Sequence, residues 1–205
     1  IAFVPLEVLL VTLIIHQLLE RREKKARWEK LNMVVGAFFT ELGNELLRIT
    51  AGMDKQSEEF VNALVFTNRS DEKAYEAALV TVENHDYHVK ASKEDLRKLR
   101  DLLVSKREYM LGLLSNSMLL EHEPFTDVLW AVSHLAEELA NRRNLPERGD
   151  TDAEHLEGDI ARAYRRLTMA WTGYMRHLQS AYPYLFSLAM RTNPFNPNAQ
   201  PEVGE

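Results

Sequence analysis

The residues of this chain that could do chemistry are histidines and carboxylates in short clusters. His85, Asp86 and His88 offer three metal-ligating side chains within four positions, and residues 121–123 read Glu-His-Glu. A metal site needs three or four ligands that converge in the fold, with further residues that orient them. The first cluster lies in a predicted loop, and the second precedes a predicted helix, where the helix dipole alone favours acidic residues. We therefore expect no metal and no cofactor.

Two motifs that helical bundles use for chemistry are not matched by the sequence. Di-iron bundles carry Glu-x-x-His pairs, and the chain contains none. His155 begins a His-Leu-Glu-Gly stretch that is faintly similar to the histidine phosphotransfer motif. That motif has a lysine before its glycine, where this chain has Glu157, and it has one more residue between the histidine and the glycine. The chain also has no cysteine, which excludes disulfides, thiolate catalysis and cysteine-ligated metals.

Charge and periodicity together indicate an acidic, helical body. Residues 31–205 carry 19 Lys or Arg against 27 Asp or Glu, a net charge of −8. Such a body lacks the basic clustering of a nucleic-acid surface, so no nucleic-acid partner is expected. Apolar residues recur every three or four positions, which predicts helices rather than strands. The expected helices cover residues 5–50, 57–66, 70–83, 92–120, 123–143 and 151–180.

Local signals place several of the helix ends. Ser92 with Asp95 predicts a capping box at the start of one helix, and Thr151 with Glu154 predicts a cap at the start of another. Pro183 should kink or end the last long helix near Ser180, because proline lacks the amide donor that a helix interior needs.

The first nineteen residues are apolar with few interruptions, and a basic segment follows directly. Residues 20–30 contain six Lys or Arg against three Glu. This pattern predicts a single transmembrane helix whose following segment faces the cytoplasm. Glu7 and His16 would be the polar residues within the membrane. The expected localisation is the inner (cytoplasmic) membrane, with the N-terminus outside and the main domain in the cytoplasm.

The predicted fold class is all-α, with an N-terminal transmembrane helix that continues into a cytoplasmic multi-helix bundle. Four segments are expected: a transmembrane anchor over 1–19, a basic juxtamembrane helix over 20–30, a helical bundle domain over 31–192, and a proline-rich loose tail over 193–205.

Three stretches of the sequence carry a family resemblance. They are KLNMVVGAFFTELG (residues 30–43), LLEHEPFTDVLWAVSHLAEEL (residues 119–139) and YPYLFSLAMRTNPF (residues 182–195). The chain resembles an uncharacterised family of short, membrane-anchored, helical prokaryotic proteins. The resemblance implies an inner-membrane origin and carries over no active site.

We predict that the protein is a single-pass, membrane-anchored interaction or assembly module without catalytic activity. Its partners would be the lipid bilayer and another protein or a second copy of the chain. The candidate surface combines glycines, which allow a close helix approach, with C-terminal aromatics: Gly36, Gly43, Tyr182, Tyr184, Phe186 and Phe195. The alternative is a ligand- or cofactor-binding bundle, a sensor or an enzyme, with a pocket that also uses His134 or His177. That pocket would be lined by Trp130, Tyr164, Trp171 and Tyr174.

Overall fold

The computed structural model describes residues 3–55, 58–120, 122–147 and 149–202, with side chains from residue 8 onward apart from that of residue 120. The chain is 78% helical, and its described residues form no β-strand. Asp54 and Val89 make a single isolated bridge between two connecting segments. The prediction of an all-α fold is confirmed.

The helices follow one another with short connections. In chain order they are α1 (Phe3–Phe38), a π-helical turn (Phe39–Gly43), α2 (Asn44–Met53), α3 (Glu58–Ala63), α4 (Glu72–Asn84), α5 (Lys93–Ser105), α6 (Arg107–Leu114), α7 (Ser117–Leu120), α8 (Glu123–Asn141), α9 (Thr151–Ala181) and α10 (Pro183–Arg191).

The N-terminal helix runs without a break from the exposed end of α1 into the body. No coil or reversal occurs between residues 20 and 30, as the unbroken run of helix formers predicts. The π-helical turn was not expected. Its backbone hydrogen bonds span five residues instead of four. Phe38, Phe39, Leu42 and Gly43 are all buried at this turn.

The predicted transmembrane helix and the inner-membrane localisation are wrong. Among the residues that the structure describes, no helix is both long enough and apolar enough to cross a membrane. The described apolar run from Val8 to Leu19 spans roughly 18 Å of helix, against a hydrocarbon layer of about 30 Å. His16 and Gln17 interrupt this run, and Glu20 begins the charged segment. The side chain of Glu7 lies outside the described residues.

Helix α9 is the central element of the body. It packs against α1, α2, α4, α8 and α10. Its inward face buries large side chains, among them Tyr164, Leu167 and Trp171. At its first turns, Glu157 accepts hydrogen bonds from the Lys90 ammonium at 2.7 Å and from the Ala91 amide at 3.1 Å. These bonds fasten the extended connector between α4 and α5 to the central helix.

The predicted helix over residues 92–120 is three helices in the structure. The capping box of Ser92 and Asp95 is present as predicted, but the chain breaks at Lys106 and again before Ser117. The Lys106 ammonium lies 3.1 Å from a carboxylate oxygen of Glu41. All three helices, α5, α6 and α7, contact α8.

Two predictions about helix ends have different outcomes. Residue 150 is the N-cap of α9 and makes no side-chain capping bond, so the predicted cap by Thr151 and Glu154 is wrong. The break at Pro183 is confirmed, because α9 ends at Ala181 and Pro183 occupies the first turn of α10. Proline is favoured there since a first-turn amide has no helical acceptor.

The predicted loose tail is packed into the body at its beginning. Asn193 is buried and donates a hydrogen bond from Nδ2 to the Leu64 carbonyl at 2.8 Å. Phe195 is buried against Trp171, with ring centroids 5.1 Å apart. The abundance of proline in this segment indicated a loose chain, but one asparagine and one aromatic ring are enough to anchor it.

We predict that Phe38→Ala lowers the free energy of unfolding by about 3–5 kcal/mol, the usual cost of removing a fully enclosed aromatic ring. Phe38 is 0% exposed and contacts the rings of Phe39 and Phe125 edge-on. Urea unfolding followed by circular dichroism measures the change. Met33→Ala is the control, since Met33 lies on the same helix with its side chain exposed. A similar loss in both variants would contradict the prediction.

Candidate functional site

The first part of α1 is an apolar helical arm, which we define as residues 8–19. Its large hydrophobic side chains are 49–61% exposed: Val8, Leu9, Leu10, Val11, Leu13, Ile14, Ile15, Leu18 and Leu19. Because successive helical residues are rotated by about 100°, such a run covers every side of the helix rather than one stripe. None of residues 8–30 is buried, and the body begins at Leu31.

Ion pairs line the charged segment between the arm and the body. Lys25 and Arg27 pair with glutamates four residues away, at 3.9 and 3.6 Å. His16 also has a partner one turn on, since its Nε2 lies 3.1 Å from a Glu20 oxygen. Such pairs stabilise an exposed helix by a few tenths of a kcal/mol each. They support the helix between the arm and the body, and His16 pairs on an exposed surface.

The glycines of the predicted association surface lie against the chain's own side chains. A side chain at Gly36 would meet Tyr174 of α9, whose hydroxyl oxygen lies 3.0 Å from the position of a Cβ. Gly43 is buried beside the rings of Phe38 and Phe39. Both positions therefore serve close packing within one chain.

The C-terminal aromatics of the same predicted surface are divided between the core and the exterior. Phe186 and Phe195 are buried, and Tyr182 is half-buried beside His177. Only Tyr184, at 71% exposed, remains available on the outside of α10.

The four aromatics of the alternative pocket do not come together. Tyr164 and Trp171 are buried in the core, and Tyr174 stacks on Phe39 with ring centroids 5.3 Å apart. Trp130 is 59% exposed and lines a separate groove of about 1000 Å³ with His134, between α5, α6 and α8.

The predicted local clusters have structural roles. His85 turns inward, where its Nε2 lies 2.6 Å from Oδ2 of the buried Asp54 and its ring packs on Phe60. Asp86 and His88 remain exposed, so the three side chains do not converge.

Two other histidines, His122 and His177, are half-buried. His122 caps α8, since its Nδ1 accepts a hydrogen bond from the Phe125 amide at 3.2 Å, and burial lowers the pKa of His122, which favours the neutral acceptor form. Glu121, its neighbour in the predicted cluster, lies outside the described residues. Burial likewise lowers the pKa of His177.

A different cluster, which the sequence analysis missed, joins α8 and α9. His134 and Glu138 lie one turn apart on α8, and His155 and Asp159 lie one turn apart on α9. We call these four residues the His–carboxylate cluster. Ligand atoms of His134, Glu138 and Asp159 all lie within 4.8 Å of one another, and His155 Nε2 is 3.5 Å from Asp159 Oδ2.

Arginines hold the outer sides of both carboxylates of the cluster. Arg142 donates to Glu138 at 2.6 Å and also binds Asp152, and Arg162 donates to Asp159 Oδ1 at 2.7 Å. The hydrogen bond from Arg142 lowers the pKa of Glu138, so this carboxyl stays ionised. The cluster thus presents two imidazoles and two fixed carboxylates at one point of the surface.

A sequence signal for the cluster existed. Two His-x-x-x-carboxylate pairs occur on consecutive predicted helices joined by a short loop, and such helices pack side by side. This spacing differs both from a cluster within four consecutive residues and from a Glu-x-x-His pair.

Comparison with known proteins identifies one uncharacterised group. A family model described as the C-terminal helical domain of uncharacterized protein MJ1433 matches residues 27–191. Uncharacterized protein MJ1433 from Methanocaldococcus jannaschii is 45% identical over 196 residues, which cover 96% of this chain and 78% of that protein. No solved structure matches the chain. The resemblance to an uncharacterised family is confirmed, and it carries no activity with it.

We predict that Gly43→Ala destabilises the body by about 1–3 kcal/mol, because overpacking a closed core forces side chains to shift. A Cβ at Gly43 would lie 2.6 Å from Phe39 and 2.9 Å from Phe38, whose rings are fully buried. Gly36→Ala is the matched control, since its nearest neighbour is the end of the half-buried Tyr174 side chain. Urea unfolding compares the two variants, and equal stabilities would contradict the prediction.

Proposed function

The chain belongs to the family of the MJ1433 C-terminal helical domain, and we propose that it works as an assembly module that binds a second copy of itself through the apolar arm. The observation that carries the proposal is the exposure of aliphatic side chains on all sides of residues 8–19. Contiguous apolar surfaces of this kind are typical of interaction sites.

The size of the arm supports a pairwise interface. Nine aliphatic side chains, each about half exposed, present on the order of 600 Å² of apolar surface. A standard protein interface buries about 800 Å² on each partner. Two arms packed side by side cover only one side of each arm, so the flanking segments must supply the rest of such an interface.

Charge favours a second copy in the antiparallel direction. Each arm is followed by residues 20–30, which carry six Lys or Arg against three Glu. A parallel pair would place these two positive segments side by side, and like charges in contact are unfavourable. An antiparallel pair places them at opposite ends of the arms. It is also a two-fold arrangement, in which each copy uses the same surface.

We predict that Val11→Glu/Ile15→Glu converts the dimer to a monomer. These two side chains lie one turn apart on the arm, and burial of two unpaired carboxylates should weaken dimerisation by about a hundredfold or more. Sedimentation velocity over a concentration series measures the mass, and circular dichroism checks that the helix content is kept.

The control for this prediction is Val80→Glu/Val104→Glu, which changes two equally exposed valines on α4 and α5. This variant should remain dimeric. The proposal fails if the unaltered chain has the mass of one copy at every concentration, or if the control dissociates to the same extent as the arm variant.

A further inference from the structure

Two separations within the His–carboxylate cluster match the edges of a metal coordination polyhedron, and the others are longer. With metal–ligand bonds of about 2.0–2.2 Å, the ligand atoms of a tetrahedral site lie about 3.3–3.6 Å apart. Nε2 of His134 lies 3.3 Å from Asp159 Oδ2, and Nε2 of His155 lies 3.5 Å from the same oxygen. Glu138 lies slightly farther away and faces the two histidines with different oxygens, Oε2 at 3.7 Å from His155 Nε2 and Oε1 at 4.0 Å from His134 Nε2.

The buried carboxylate of Asp159 independently indicates a missing partner. Its side chain is 3% exposed. Oδ1 is bound by Arg162, whereas Oδ2 lies 3.3 and 3.5 Å from two imidazole nitrogens and makes no well-formed hydrogen bond. A buried carboxylate oxygen without a donor is costly and calls for an explanation. Here that oxygen points between two imidazole nitrogens, and a cation at the centre of the cluster would satisfy it.

The surroundings of the cluster suit a bound cation. Ligating carboxylates in metal sites are held by further hydrogen bonds that fix their orientation, and Arg142 and Arg162 do this for Glu138 and Asp159. The four ligands stand on two long, packed helices, so the backbone holds their spacing. His134 and His155 are 48% and 55% exposed, which leaves one side of the cluster open to water.

We propose that His134, Glu138 and Asp159, with His155 beside them, bind one divalent transition-metal cation of the zinc class. Two imidazoles with two carboxylates are a ligand set that suits zinc, and neutral histidine is required for each nitrogen to bind. The site is separate from the apolar arm and departs from the expectation of no metal.

Titration of the full chain with zinc chloride tests the proposal. Isothermal calorimetry should give one zinc site per chain, and cobalt(II) at the same site should show the visible absorption of a low-coordinate complex. His134→Ala and His155→Ala should each weaken zinc binding by about a hundredfold or more, and Arg162→Ala should weaken it by about 10–100-fold. Both histidines are half-exposed, so these variants should fold.

The control is His88→Ala, which removes an equally exposed histidine outside the cluster and should leave zinc binding unchanged. The arm variant Val11→Glu/Ile15→Glu should also bind one zinc ion, which separates this result from the question of assembly. The proposal is overturned if the unaltered chain shows no site, or if the cluster variants bind zinc as the control does, which would mean an adventitious ion only.

Discussion

The need to cover helix α9 on most of its sides is the constraint on which the rest of the structure depends. Over 31 residues it buries a succession of large side chains, and helices from both ends of the sequence surround it. The buried hydroxyls of Thr168 and Thr172 donate hydrogen bonds to backbone carbonyls one turn earlier. Both hydroxyls therefore have a partner within apolar surroundings. Helices α5–α7 cover α8, the largest neighbour of α9, and they do so in three separate pieces.

The features that follow from local chemistry could be predicted from the sequence. The capping box at Ser92, the break at Pro183 and the burial of Phe38 each depend on a few neighbouring residues or on a single helical period. The all-α class follows from the same period repeated along the chain. These signals are strong because no distant residue is needed to produce them.

The features that the sequence did not reveal depend on contacts between distant residues. Lys106 ends a helix in the middle of an apolar pattern and pairs with Glu41, and Phe195 is anchored by three rings from two other helices, α3 and α9. The His–carboxylate cluster forms only because α8 and α9 pack side by side. The sequence shows that residues 8–19 are apolar, but composition alone does not determine whether such a helix contacts a membrane or another protein.

The anchoring of Phe195 has a consequence for the order in which the protein is made. Its ring fills a place in the core between Phe60, Tyr164 and Trp171, and the adjoining Thr192 carbonyl accepts a hydrogen bond from Arg48 at 3.1 Å, across 144 residues of sequence. A ribosome synthesises the chain from the other end. The helices of the body can form during translation, but their core remains incomplete until the segment with Phe195 has emerged. Until then, the nascent body exposes apolar surface of the kind that chaperones protect.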